Sequence, residues 1–234
     1  MMDNKSLLIS LAASVAILAL VTPIIREDYQ AYLSLGPGGF PYDISGWLLA
    51  NILRPLGRET ISITEYDRTS TGGLKDIPQR PGGRPKIGKH PIPHRRTSDL
   101  GVLETRQRSH GLLSKLQEQN SKLIEVATSA HERRGPALFI HRNIPTPHMV
   151  AESAWREIAH IHDSDGSLHV VLSPTDCAEV IEKGWGERHP LSGRILLPSQ
   201  YLLVYAPRNE SEVSVIEAIL KAAIGYMVES KEVV

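Results

Sequence analysis

The chain has 234 residues, 41% of them hydrophobic and 22% charged, with a formal net charge of zero; that is enough apolar material for one substantial folded domain. Balanced charge excludes the long-range attraction on which nucleic-acid binding depends. One cysteine, Cys177, excludes an intramolecular disulfide framework, and its neighbours Ala178, Val180 and Ile181 mark it as a small core residue.

The uncharged stretch 6–25 (SLLISLAASVAILALVTPII) is about 20 residues long, the length that crosses a bilayer as a helix. A secretory signal peptide would end in a small-x-small site, whereas this stretch ends Thr-Pro-Ile-Ile-Arg. The expectation is therefore a membrane anchor over 1–27 and a folded domain over 28–234. After the turn-rich stretch 36–41, Trp47, Leu48, Leu49, Ile52 and Leu53 predict a short helix. The β-branched alternation from Ile61 to Tyr66 predicts a strand. Residues 67–98, rich in Pro, Gly and Arg, form a long irregular segment of the kind that packs over a site. Apolar spacing over 112–130 (Leu113, Leu116, Leu123, Ile124) predicts a helix stopped by Gly135-Pro136. Ala137 to His141 reads as a short strand.

In the last third, Val150, Ala154, Ile158 and Ile161 share one face of a predicted helix. Ser167–Leu172 reads as a strand, and Ser173-Pro174 opens a helix that Gly184 ends. Gln200–Ala206 is a buried strand. Asn209 and Glu212 resemble a capping box, opening a helix with a buried stripe of Val215, Ile216, Ile219, Leu220, Ala223, Ile224 and Met227. The order is α-β-α-β-α, and the fold class is α+β: a single globular domain behind one N-terminal transmembrane helix.

Basic residues gather between Arg54 and His110 and acidic ones after Asn143, which reads as solvated surface, with no nucleic acid as partner. No Gly-x-Ser-x-Gly elbow, dinucleotide fingerprint or phosphate loop occurs. Four of the ten histidines, His160, His162, His169 and His189, crowd into the span 160–189. As acid/base groups they suit an enol or phenol substrate. As metal ligands they are less well supported: Glu157-x-x-His160 has di-iron spacing but occurs once, and a mononuclear site from His162, His169 and a carboxylate is the remaining metal reading. The expectation is no metal. Lys183-Gly-Trp-Gly-Glu-Arg-His-Pro190 is the most distinctive stretch. Trp185 is either a stacking wall or a core anchor, and Arg188 with His189 addresses an anionic ligand. Arg208, at the start of the last helix, either adds a second anion contact or pairs with Glu210 or Glu212.

Several strings together resemble the fungal luciferases. They are Arg156-Glu-Ile-Ala-His-x-His-Asp163, Leu168-His169, Lys183-Gly-Trp-Gly-x-Arg-His-Pro-Leu-x-Gly193, Tyr205-Ala-Pro-Arg-Asn-Glu-x-Glu212 and Ile224-Gly-Tyr-Met227. Upstream, Pro23-Ile-Ile-Arg-x-Asp-Tyr-Gln30, Tyr66-Asp-Arg68 and Arg84-Pro85 extend the likeness over nearly the whole chain. The resemblance implies oxidation of 3-hydroxyhispidin by dioxygen as co-substrate, without metal or organic cofactor. A cyclic peroxide loses carbon dioxide and leaves excited caffeylpyruvate. It also implies association with the endoplasmic reticulum or another internal membrane, with 28–234 as a cytosolic catalytic domain. Such chemistry needs a base for the enol, a cationic pocket for the enolate and walls that exclude water. The expected base is one of His160, His162, His169 and His189, with Glu157 beside them; Arg188 and Arg208 stabilise the oxyanion, and Trp185 and Tyr205 line the pocket. The alternatives are a non-luminous homologue acting on another pyrone or polyphenol, and a membrane-tethered small-molecule binding protein.

Overall fold

The computed structural model describes residues 4–69, 72–195 and 197–234. Helix α1 (Asn4–Ser34) is followed by α2 (Ile44–Leu53), a single 3-10 turn at Arg54–Leu56, and a long irregular strap. Then come α3 (Leu103–Gln119), β1 (Ile124–Thr128), β2 (Pro136–Ile140), α4 (Met149–Ser153), β3 (Glu157–Ile161) and β4 (Leu168–Val171). The chain closes with α5 (Pro174–Glu182), β5 (Gly186–Arg188), β6 (Tyr201–Val204) and α6 (Glu210–Val228). The expected α+β class is what the structure has.

All six strands form one antiparallel sheet in the order β1-β2-β3-β4-β6-β5. Side chains alternate across a strand, so the sheet has two faces of different chemistry. Ala159, Ile161, Leu168, Val170, Leu202 and Val204 join the buried apolar stripe of α6, with α3 and α5, in one core. His169 pairs directly with His160 on β3 and with Leu203 on β6, and Leu203 in turn pairs with Glu187 on β5. These residues occupy the opposite face, which the strap covers with buried His90, His94, Arg95 and Arg96.

Several expectations are corrected. Among the described residues no helix is long and apolar enough to cross a membrane, which overturns the single-pass anchor over 6–25 and the internal-membrane localisation attached to it. The side chains at 6, 7, 9 and 10 of that stretch lie outside the described residues. Helix α1 also does not stop at the charged triplet Arg26-Glu-Asp28 but carries it inside the helix, running on to Ser34. Asp28 then accepts hydrogen bonds from Trp47 Nε1 (2.7 Å) and Asn51 Nδ2 (3.2 Å), tying α1 to α2. Ile61–Tyr66 forms turns with no regular strand. The helix expected over 112–130 starts earlier and ends at Gln119, and Leu123 and Ile124 turn into β1. The helix expected from Val150 to Ile161 is only α4, because Trp155 and Arg156 both take left-handed backbone (φ 55° and 66°) and redirect the chain into β3. The C-terminal third is therefore richer in strand than α-β-α-β-α.

Candidate active site

The sheet face opposite the helical core holds a cavity of about 180 Å³. Strand β4 supplies His169, β6 supplies Tyr201, and the turn after β5 supplies His189. The strap adds Ile92, Pro93 and His94, the β1–β2 turn adds Ala130–Arg133, the bend after α4 adds Trp155, and Phe40 and Leu53 close the far side. Trp155 is half exposed, with its ring stacked on His131 at 4.6 Å and 9°. His169 stacks on Tyr201 at 4.8 Å.

The hydrogen bonds fix which nitrogen of each imidazole holds a proton. His169 Nδ1 lies 3.1 Å from the Leu202 carbonyl and must donate, leaving Nε2 with its lone pair. His160 Nδ1 donates to Glu157 Oε1 at 2.5 Å. His162 Nδ1 lies 2.9 Å from Ser167 Oγ, and Ser167 donates in turn to Asp165. The Nε2 atoms of His160 and His162 face one another at 3.2 Å. His189 is the reverse case: its Nδ1 accepts from the Leu191 N–H at 3.1 Å, so Nε2 carries the proton. His94 is buried; its Nε2 lies 3.5 Å from Glu187 Oε1, too poorly aligned for a regular hydrogen bond, and its Nδ1 has no hydrogen-bond partner among the described residues.

Electrostatics follow the same layout. Burial alone would push His160 down, yet the carboxylates of Glu132 and Glu157 outweigh it and raise it to about 9. His162 is lowered to about 4, first by burial and then by the Arg95 guanidinium. Burial, reinforced by the surrounding imidazoles, drives His169 and His189 well below the usual value. Glu132 and Glu157 stay ionised because their charged partners outweigh the burial that would raise them.

Glu157 lies behind the cavity and is not part of its lining. It accepts from Ser129 Oγ (2.9 Å) and from the Ala130 N–H (2.7 Å), which fixes the turn that presents His131 and Glu132. Of the residues singled out in the sequence, His169 and His189 line the cavity, while His160 and His162 lie beside His169 in the buried layer. Arg188, Arg208, Trp185 and Tyr205 do not line it. Arg188 instead grips the Glu59 and Ser62 carbonyls, pairs with Glu65, and lies over the Tyr66 ring. The other three hold the strap. Trp185 Nε1 donates to the Pro78 carbonyl (2.6 Å), Arg208 Nη2 donates to the Pro81 carbonyl (2.9 Å), and Tyr205 takes a contact from Arg84 while donating to Glu187. His94, His131, Glu132, Trp155 and Tyr201 were not singled out. The one sequence signal for them was the irregular segment 67–98, which carries His94.

Clustered imidazoles, a partly buried carboxylate and an aromatic wall around one cavity make it the candidate site for proton or ion chemistry. Comparison with known proteins places it more closely. A luciferase-domain family model matches residues 155–223. The chain is 36% identical over 222 residues to a luciferase of Neonothopanus nambi, an alignment covering 89% of this chain and 83% of that one. It is 35% identical over 240 residues to a luciferase of Armillaria mellea, covering 96% of this chain and 89% of that one. No solved structure matches the chain. The chain belongs to the luciferase family represented in these fungi, and it is an enzyme of oxygenase type.

Proposed function

We propose that the enzyme oxidises a 3-hydroxyhispidin-type pyrone with dioxygen, through a cyclic peroxide that loses carbon dioxide and leaves an excited keto product. The observation that carries the reading is His94, a buried imidazole whose only nearby polar partner among the described residues is the Glu187 carboxylate at 3.5 Å, set in the cavity wall beside His169 and His189. An enol must lose its proton before it becomes electron-rich enough to give an electron to dioxygen, and an imidazole backed by a carboxylate is a group suited to take that proton. Arg133 lines the same cavity and is the cation available to the resulting enolate. His131, Trp155 and Tyr201 give flat walls for a conjugated ring.

About 180 Å³ is less than the roughly 300–1,000 Å³ usual for a whole bound ligand. The reacting pyrone ring fits inside, and the second ring of a styrylpyrone extends through the mouth along Trp155. The test is to mix the purified protein with 3-hydroxyhispidin in air and record photons and oxygen uptake together. Light with uptake supports the full reading. Uptake in the dark means an oxygenase whose excited product is quenched or never formed, and neither signal from folded protein overturns the proposal.

A further inference from the structure

We infer that His160, His162, His169 and Glu132 form a binding site for one divalent first-row transition-metal ion, set in the buried layer beside the cavity. This goes beyond the oxygenation proposed above and departs from the cofactor-free expectation drawn from resemblance.

The argument is geometric. A histidine that binds a metal through one nitrogen nearly always donates the other N–H to a carboxylate, a hydroxyl or a backbone carbonyl, which fixes the ring and aims the lone pair. All three histidines meet that description. His160 Nδ1 is tied to Glu157, His162 Nδ1 to Ser167, and His169 Nδ1 to the Leu202 carbonyl. The three side chains converge, with one ligand atom of each within 4.8 Å of the others. The 3.2 Å between the Nε2 atoms of His160 and His162 also suits a shared ion. Two nitrogens each about 2.1 Å from one ion are separated by roughly 3.0 to 3.4 Å at right-angled or tetrahedral geometry.

Glu132 completes the set. Its Oε2 is held by Arg95 at 2.6 Å, so Oε1 is turned toward the histidines, 3.7 Å from His160 Nε2 and 3.6 Å from His162 Nε2. Three imidazoles and one carboxylate suit iron, copper, nickel or zinc better than calcium or magnesium. Glu132 and His169 both border the cavity, so a coordination position opposite the buried histidines faces the substrate space. A second trio, His94, His169 and His189, also clusters. It fits less well, because His189 already uses its Nδ1 lone pair on the Leu191 N–H.

The test uses Co²⁺ as a spectroscopic probe on the full chain, stripped with chelator and reloaded. One cobalt per chain by elemental analysis, with visible d–d absorption, is expected for the wild type and for His110→Ala. His162→Ala and His169→Gln should lose stoichiometric binding. Glu157→Gln, which removes a carboxylate supporting His160 and the turn that presents Glu132, should weaken binding by about 10- to 100-fold. Circular dichroism checks that each variant is folded, and Glu157→Gln serves if the ligand variants do not fold. Folded wild type that takes up no cobalt, or variants that bind it as tightly as wild type, overturns the site. Loss of the site with oxygen uptake retained would leave the proposed oxygenation standing without a metal. Cobalt bound but no pyrone oxidised would do the reverse.

Discussion

His94 and Trp155 place the most weight on single side chains. If His94 takes the enol proton, His94→Ala lowers the rate of oxygen uptake by about 10²-fold or more while leaving the melting temperature close to wild type. Uptake at the wild-type rate would remove His94 as the base. Trp155 holds a left-handed backbone, φ 55°, that a tryptophan tolerates poorly and a glycine adopts readily. Trp155→Gly therefore separates backbone strain from ring contact. Stability is expected to be unchanged or raised, while KM for the pyrone rises roughly fivefold on loss of one aromatic wall. An unchanged KM would detach Trp155 from the substrate.

At the level of elements, what could be read in advance depended on whether the deciding interactions were local. The start of α6 was legible because its cap is: Asn209 Oδ1 accepts from the Glu212 N–H at 3.0 Å, and the apolar stripe beneath it is buried. Asn209→Ala is accordingly expected to cost about 1 kcal/mol in urea denaturation without altering turnover. Strands β4 and β6 and helix α5 were legible for similar reasons. Strand β3 was not, because Val150, Ala154, Ile158 and Ile161 have helical spacing. The bend that breaks the helix is held by Arg156, whose guanidinium donates to the carbonyls of His141 and Ile144, and no local signal announces it. The end of α3 was hidden likewise, since Leu123 and Ile124 continue the helical phase beyond Gln119. The histidine cluster was visible because four of its members fall in one stretch, but His94, His131 and Glu132 arrive from remote segments. Trp185 proves to be a core anchor that also grips the strap. Trp185→Ala should cost about 3–5 kcal/mol in urea denaturation, and Trp185→Phe, which loses the bond to Pro78 and part of the ring but keeps an aromatic side chain in the core, should cost less.

Across the whole molecule, ion pairs do much of the joining between segments. Asp28 gathers α1, α2 and the strap through Trp47, Asn51, Lys89 and His90. Burial would raise its carboxyl, but the hydrogen bonds from Lys89, Trp47, His90 and Asn51 outweigh that and hold it well below the usual range. Because the folded value lies under the unfolded one, its contribution is complete above about pH 4 and is lost as pH falls through the folded value. The stability gap between wild type and Asp28→Asn should therefore be widest near neutrality and smaller, though not abolished, at about pH 3. A gap of equal size at both would rule out this role for Asp28. The strap is joined in the same manner: Arg95 pairs with Glu132, and Arg96 bonds to Asp165 through both backbone and side chain. Removing one partner of such a buried pair strands the other at a cost of about 3–5 kcal/mol, so these positions are not free to drift singly. Over evolutionary time the exposed residues of the strap are expected to diversify more freely than either arginine or its carboxylate, which are expected to change, if at all, as a linked pair.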